Sequence, residues 1–417
     1  MKVFKFGGAS CNSVERIQNI PNILKQYHQE QIVMIVSAMG KTTNALEQVV
    51  SNYYKQDNQK AKALLEEIKE QHLLITKSLL NHLLNECNNK LYAYFSEIDN
   101  LLLIKPSKEF DYYYDQIVST GELLSTCIIS FYLNEAGIEN ILLDVRNIVK
   151  TDNNFRDATI LWEETSANMV ATKLHPSLTI TQGFIGSTNN GESTTLGREG
   201  SDYSAAIFAN ILHADSLTIW KDVEGVMNAD PKAFADVQLI NELSFNEVIE
   251  MSYYGAQVIH PKTIKPLQNK EIPLYVKSFL DSSLQGTVIS AKEINNLPPI
   301  IVIKEKQVLI HLHTKDFSFV GEKPIAALYK IFSALKIKPN LIQTGAISIQ
   351  ICLDNWEDKI EQLTAHLSTL FTIQKQIDLE LLTIRHYTKD LKNKMLNKKN
   401  IILLQQTKET IQALYLM

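Results

Sequence analysis

Only four cysteines, Cys11, Cys87, Cys127 and Cys352, occur in the 417 residues, far apart and without the spacing of a zinc or redox site. That excludes a disulfide-stapled scaffold and suits buried or spectator thiols in a reducing compartment. Long apolar runs are missing too. No uncharged stretch approaches the roughly 18 residues a membrane span needs, and Met1-Lys2-Val3-Phe4-Lys5-Phe6-Gly7-Gly8 has no signal-peptide core. The expectation is a cytoplasmic protein without a membrane partner. Basic residues are in deficit, 41 Lys and Arg against 46 Asp and Glu, for a formal charge of -5. No cationic excess is therefore available for nucleic acid, although a local basic pocket for phosphates stays open. With 15 Gly and 11 Pro, the chain is neither disordered nor a fibrous repeat.

What is present is globular material, 45% apolar and 21% charged, on a chain too long for one ordinary core. Residues 3–6 alternate as a short strand, Gly7-Gly8 breaks it, and residues 13–28 carry Val14, Ile17, Ile20, Ile23 and Leu24 at helical spacing. A second such unit follows: the apolar run 31–37 suits a strand buried on both faces, and residues 38–43 turn into a helix from Asn44. Buried strands alternating with helices predict an α/β fold with an open, mostly parallel sheet sandwiched by helices. Leu-rich residues 59–104 read as helices packed over that sheet, and residues 141–145, 178–182 and 216–220 as further strands. Ligands gather outside the carboxyl ends of such strands.

The pattern shifts at Ala291-Lys-Glu-Ile-Asn-Asn-Leu-Pro-Pro299, giving a first domain over 1–294 and a second region over 295–417. The second region reads as α+β: strand 308–313, helix 324–335, strands 341–344 and 346–353, helix 357–371, strand 379–386. A short helix at 389–396 and a strand at 400–404 make the tail an incomplete second copy.

Two segments carry the chemistry, Lys5-Phe6-Gly7-Gly8-Ala9-Ser10 and Thr194-Thr195-Leu196-Gly197-Arg198-Glu199-Gly200-Ser201-Asp202-Tyr203-Ser204. Each puts glycines and a few charges at a helix opening, where free N–H groups and a partial positive charge attract anions. From its strand, Lys5 can reach a phosphate held by Gly7 and Gly8, and Arg198 can grip a carboxylate through two parallel hydrogen bonds. Asp202 is either a helix-stabilising acid or the group that holds Lys5 in register. In Ser119-Thr120-Gly121-Glu122, Glu122 either supports the helix cap or binds an ammonium. The loop from Trp220 to Lys232 offers Asp222, Asp230 and Lys232. A phosphate cradle joined to a carboxylate clamp points to a kinase acting on a small acid.

These segments resemble aspartate kinase, together with Val36-Ser37-Ala38-Met39, Thr181-Gln182-Gly183-Phe184-Ile185-Gly186, Asp222-Val223-Glu224-Gly225-Val226 and Gly255-Ala256-Gln257-Val258-Ile259-His260-Pro261. The blocks are spread over residues 1–290. The resemblance implies an amino-acid kinase fold and direct transfer of the ATP γ-phosphoryl group to the β-carboxylate of L-aspartate, the first step towards lysine, threonine and methionine. It makes Lys5 the transition-state cation, Gly7 and Gly8 the phosphate cradle, and Asp202 the orienting acid. Arg198 would hold the substrate α-carboxylate, with Ser37, Thr43, Glu122, Phe184 and Ser201 lining the pocket. Lys221, Asp222, Met227, Asp230, Lys232 and Gln257 would face the nucleotide, and Mg²⁺ would be held largely by phosphates, with no dedicated protein metal site.

Three positions depart from the family pattern: Lys221 stands where many relatives have Thr, Met227 where a Tyr is frequent, and Gln257 where a Lys commonly reaches the nucleotide. Lys221 or Lys262 would then supply the missing charge. The region after residue 300 resembles the ACT modules that bind amino-acid effectors, its second module abbreviated. Asn340 and Ala346 stand where lysine-sensitive relatives have acids. The resemblance also implies a homodimer or higher homo-oligomer. A kinase for glutamate or N-acetylglutamate, and a catalytically silent regulatory chain, are the rival readings.

Overall fold

β1 (Lys2–Phe6) and β2 (Ile32–Val36) lie parallel, Lys5 opposite Ile35 and Phe6 opposite Val36, as two buried apolar runs dictate. They belong to a computed structural model that describes residues 1–256, 258–316 and 318–416. The chain forms two units. The first comprises Met1–Val226, Leu239–Ile249 and the described part of 257–295; the second comprises Met227–Gln238, Glu250–Ala256 and the described part of 296–417. Two stretches from inside the expected catalytic span, Met227–Gln238 and Glu250–Ala256, thus group with the second unit.

The first unit adds β3 (Ile141–Leu142), β4 (Leu178–Gln182), β5 (Ile185–Ser187), β6 (Ser193–Thr195), β7 (Ser216–Lys221), β8 (Glu242–Ser244), β9 (Leu274–Ser278) and β10 (Thr287–Ser290). Eight strands form one sheet in the order β3-β4-β2-β1-β7-β9-β10-β8. Every neighbouring pair is parallel except β9 with β10. β1 has β2 on one side and β7 on the other, so the strand order reverses at its carboxyl end, where such sheets open a crevice. β5 and β6 pair separately as a hairpin.

Its helices are α1 (Val14–Lys25), α2 (Thr42–Tyr54), α3 (Asn58–Leu79), α4 (Leu84–Leu102), α5 (Phe110–Val118), α6 (Thr120–Glu135), α7 (Trp162–Ala171), α8 (Gly200–Ile211), the start of α9 (Phe245–Tyr253) and α10 (Pro261–Gln268). Ser13 caps α1 by accepting from the Arg16 N–H. Phe4, Phe6, Met34 and Val36 from the sheet meet Ile17, Leu46, Leu65, Leu91 and Ile128 from the helices in one core. Lys5 stands on the other face of β1, against which α8 packs. The stretch Phe110–Glu135 is long and apolar enough to cross a membrane, yet 83% of its most apolar window is buried, which makes it a core helix. All four cysteines are buried and free of disulfides.

The second unit contains β11 (Ile300–Thr314), α11 (Glu322–Ala334), β12 (Leu341–Thr344), β13 (Ser348–Asp354), α12 (Glu357–Leu367), β14 (Phe371–Arg385), α13 (Lys389–Leu396), β15 (Ile401–Gln406) and β16 (Thr410–Leu416). Its antiparallel sheet runs β12-β13-β11-β14-β16-β15. Alternation along β11 sends Val308, Ile310 and Leu312 to a core with Leu328, Phe332 and Leu363, and Leu309 to a second core with Leu381 and Leu414. The helix expected over 357–371 stops at Leu367, because Phe371 already pairs with Thr314 in β14. β16 was not expected; it closes the abbreviated second half beside β14.

Candidate active site

Lys5 is the fourth residue of β1, and its ammonium lies 2.6 Å from Oδ1 of Asp202 in the first turn of α8. Both side chains are buried. Burial alone would raise the Asp202 pKa, but the Lys5 charge and then Lys221 outweigh it and hold the carboxyl below its usual range. Lys221, at the end of β7, brings a second ammonium to 4.0 Å from Asp202 Oδ2 and donates to the Val258 carbonyl at 2.7 Å. Asp202 thus stands both in the first turn of α8 and in an ion pair with Lys5.

The Lys5 ammonium lies 3.2 Å from where a Cβ on Gly7 would stand. A Cβ on Gly8 would meet the Ala38 carbonyl oxygen at 2.7 Å, so only glycine lets this turn sit against the loop after β2. The Gly40 N–H donates to Gly8 O at 3.0 Å, and the Ser37 N–H to Phe6 O at 3.1 Å. Ser37 is thereby set beside the glycine turn on the loop after β2, and Thr43 follows in the first turn of α2.

Glu122, in the first turn of α6, is buried and accepts from the Ala38 N–H at 3.3 Å through Oε1. Among the described residues its Oε2 has no hydrogen-bond partner. Burial pushes its pKa up to about 8 against the opposing Ala38 N–H. The helix start is thus more than a cap: it aims an uncompensated carboxyl oxygen into the protein.

Position of α8 depends on close approach. A Cβ on Gly183 would come within 2.7 Å of Ser201 Cβ, and one on Gly200 within 2.6 Å of the Phe184 ring. Phe184 takes a positive φ of 69° and its N–H donates to Ser204 Oγ at 2.9 Å. Glu199, also left-handed at φ 54°, accepts from the His260 N–H at 2.9 Å. Glu199 of the Gly-Arg-Glu-Gly-Ser-Asp block and His260 are therefore physically joined. Arg198, the residue before Glu199, stands exposed on the loop entering α8.

Asp115 was missed in the sequence. Buried in α5, it accepts from the Thr195 N–H and hydroxyl at 2.9 and 2.7 Å and from the Arg156 N–H at 3.0 Å, and burial lifts its pKa to about 6. A lone acid on the apolar face of a short helix was the available signal.

The structure gathers Lys5, Gly7, Gly8, Ser37, Thr43, Glu122, Phe184, Arg198, Ser201, Asp202, Lys221 and Asp222 in the first unit; Asp222 is exposed, one residue past β7. Met227, Asp230 and Lys232 fall in the second unit, where the Lys232 N–H donates to Asp230 Oδ1 at 2.9 Å. Gln257 lies outside the described residues. Lys262 is paired with Asp157 at 2.5 Å.

Residues 1–278 match the model of the amino acid kinase family. Aspartokinase 1, chloroplastic, of Arabidopsis thaliana is 33% identical over 370 residues, 84% of this chain and 63% of that protein. Lysine-sensitive aspartokinase 3 of Escherichia coli strain K12 is 36% identical over 246 residues, 58% of this chain and 54% of that protein. This chain thus matches between half and two thirds of the length of these relatives. The crystal structure of E. coli aspartokinase III in complex with aspartate and ADP superimposes with a TM-score of 0.83 at 26% identity, over 100% of this chain and 96% of that one.

Proposed function

This chain belongs to the amino acid kinase family, and from that premise we propose that it transfers the γ-phosphoryl group of ATP to the β-carboxylate of L-aspartate, giving 4-phospho-L-aspartate and ADP. The observation that carries the proposal is the buried Lys5 and Asp202 pair at the carboxyl end of β1, beside a glycine turn whose Gly8 leaves no room for a side chain. Relatives named aspartokinase and a similar structure holding aspartate and ADP support the same reading.

Phosphoryl transfer asks a protein for positioning and for positive charge where the transition state spreads its negative charge. A β-carboxylate oxygen attacks the γ-phosphorus in line as the bond to the bridging oxygen of ADP breaks. The attacking carboxylate has no proton to lose, so no general base is required. That fits Asp202, whose depressed pKa and ion pair suit it to orienting Lys5 and not to taking up a proton. Lys5 then offsets charge on the transferred group, while N–H groups of the Gly7-Gly8 turn cradle it.

Arg198 supplies the planar fork for the substrate α-carboxylate, and Glu122 Oε2 accepts from its ammonium. Ser37, Thr43, Phe184 and Ser201 shape the pocket, and Lys221 with Asp222 face the nucleotide. Mg²⁺ accompanies ATP. Its ligands would come largely from phosphate oxygens, and none of the steps above runs through it. The second unit, whose sheet is consistent with ACT-type regulatory folds, binds an amino-acid effector, and the chain works as a homodimer or larger homo-oligomer in the route to lysine, threonine and methionine.

The test is ADP release by the purified chain with aspartate, glutamate or N-acetylglutamate as acceptor, together with trapping of the acyl phosphate by hydroxylamine. Aspartate-dependent turnover is expected, and lysine, threonine and methionine are then added singly. Turnover with either other acid in place of aspartate would overturn the substrate assignment; amino-acid binding without any turnover would reduce the first unit to a scaffold.

A further inference from the structure

Asp115 is a fully buried carboxylate within α5, and no step described above uses it. Three donors converge on it. The Thr195 and Arg156 N–H groups reach Oδ2 at 2.9 and 3.0 Å, and the Thr195 hydroxyl reaches Oδ1 at 2.7 Å. None comes from its own helix: Arg156 lies 41 residues further along the chain and Thr195 80. An acid this deep is costly unless its acceptor oxygens are filled, so the two segments and α5 are held to one another.

Both segments adjoin the turn that carries Arg198. Thr195 ends β6; its carbonyl accepts from the Ala158 N–H at 3.0 Å, and the next N–H, of Leu196, donates to Phe184 O at 2.9 Å. Arg156 takes a left-handed φ of 69°, which few residues with a side chain adopt. Its guanidinium meets Asp111 of α5 at 3.2 Å and lies over the Tyr114 ring, so the loop is fastened to that helix twice. A Cβ on Gly197 would stand 3.2 Å from Arg156 O and 2.6 Å from Asp157 Oδ1, which shows this loop filling the space behind Gly197. On the far side of the turn Glu199 accepts from the His260 N–H at 2.9 Å. Arg198 is exposed between these anchors. The backbone of its turn therefore sets where the guanidinium reaches.

Resting on the reading of Arg198 as the clamp for the substrate α-carboxylate, we propose that Asp115 is a positioning residue for the acceptor: it locks Thr195 and Arg156 against α5 and through them fixes the turn from which Arg198 works. It contributes to affinity for the acceptor acid and not to the transfer step, because its hydrogen bonds run to the support of the clamp and not to the Lys5 and Asp202 pair.

The test compares Asp115→Leu, Asp115→Asn and Thr195→Val with the unaltered full-length chain, by steady-state kinetics and by hydrogen–deuterium exchange read by mass spectrometry. Asp115→Leu removes every acceptor at similar volume and is expected to raise KM for aspartate about tenfold or more, with kcat within a fewfold and KM for ATP changed by less than about twofold. Amides of residues 194–200 should exchange faster in it, and those of β1 and β7 at the unaltered rate. Asp115→Asn is the rescue: its amide oxygen accepts from both N–H groups and its nitrogen donates to the Thr195 hydroxyl oxygen, so KM for aspartate stays within about threefold. Thr195→Val loses one of the three bonds and should fall between the two. Unchanged KM for aspartate in Asp115→Leu, or kcat and both KM values altered alike, overturns the proposal, as does an Asp115→Asn no better than Asp115→Leu. If Asp115→Leu does not fold, Thr195→Val decides, and a KM for aspartate equal to that of the unaltered chain overturns the proposal. In a chain inactive toward aspartate, faster exchange over 194–200 in Asp115→Leu but not in Asp115→Asn upholds the hold on the Arg198 turn and overturns only the substrate; equal exchange in all forms overturns the inference itself.

Discussion

Replacing Lys5 by Ala takes away the closer of the two ammoniums beside Asp202, and the expected result is a fall in kcat on the order of a hundredfold or more with little change in KM for aspartate. Arg198→Ala should do the reverse, raising KM for aspartate about tenfold or more while leaving kcat within a fewfold. Steady-state kinetics on both variants check the division of roles, and equal effects on both parameters would undo it. Glu122 gives a pH signature. Its carboxyl is raised from 4.5 to about 8 by burial, so across that window the folded chain keeps a proton the unfolded chain has lost. Stability therefore falls as pH rises from about 4.5 to 8, and Asp115, raised from 3.8 to about 6, adds the same sign over the lower part. At about 1.4 kcal/mol per unit the loss is on the order of a few kcal/mol, and denaturant midpoints of Glu122→Gln between pH 5 and 8 should show a flatter profile. Lys5, Gly7, Gly8 and Asp202 were legible because each sits in a local signal, a strand broken by a glycine pair or a glycine-flanked helix start. Asp115 was not: what it does is defined by Thr195, 80 residues away.

At the scale of elements, the position of α8 decides whether Asp202 reaches Lys5. Gly183→Ala is expected to push Ser201 and the start of α8 off β4, because the added methyl would stand 2.9 Å from Ser201 Cα, a backbone atom that cannot swing aside. Overpacking of this kind costs about 1–3 kcal/mol, and activity should fall by more than the stability loss explains. Thermal melts paired with turnover separate the two. Strands β1, β2, β4 and β7 were readable as buried apolar runs. The β5 and β6 hairpin was not, since three-residue strands carry no usable period. β3 shrinks to two residues because Asp144 caps a 3₁₀ turn immediately after it. β16 escaped notice because its mixed residues, Thr410–Leu416, pair with a strand that begins at Phe371.

For the whole molecule, the boundary near 295 is legible but incomplete. The second unit also draws on Met227–Gln238 and Glu250–Ala256. The Ile301 N–H donates to Asn228 O at 2.8 Å, Asn228 Nδ2 to Pro299 O at 3.0 Å, and Arg385 meets Glu250 at 3.3 Å. A chain cut after Asn295 should therefore be less thermally stable and more readily nicked by protease within 227–238 and 250–256 than the intact protein. Limited proteolysis with mass spectrometry reads this directly, and equal resistance of both forms would argue against it. No local signal marks such excursions, because they are set by partners late in the chain.

That interlacing limits how genes of this kind can recombine. Exchanging the tail as a cassette transplants one of the three segments from which the second unit is built and leaves the other two behind as mismatched remnants of the donor's predecessor. Chimeras joined at a single seam should fold poorly, whereas those that swap all three stretches together should not.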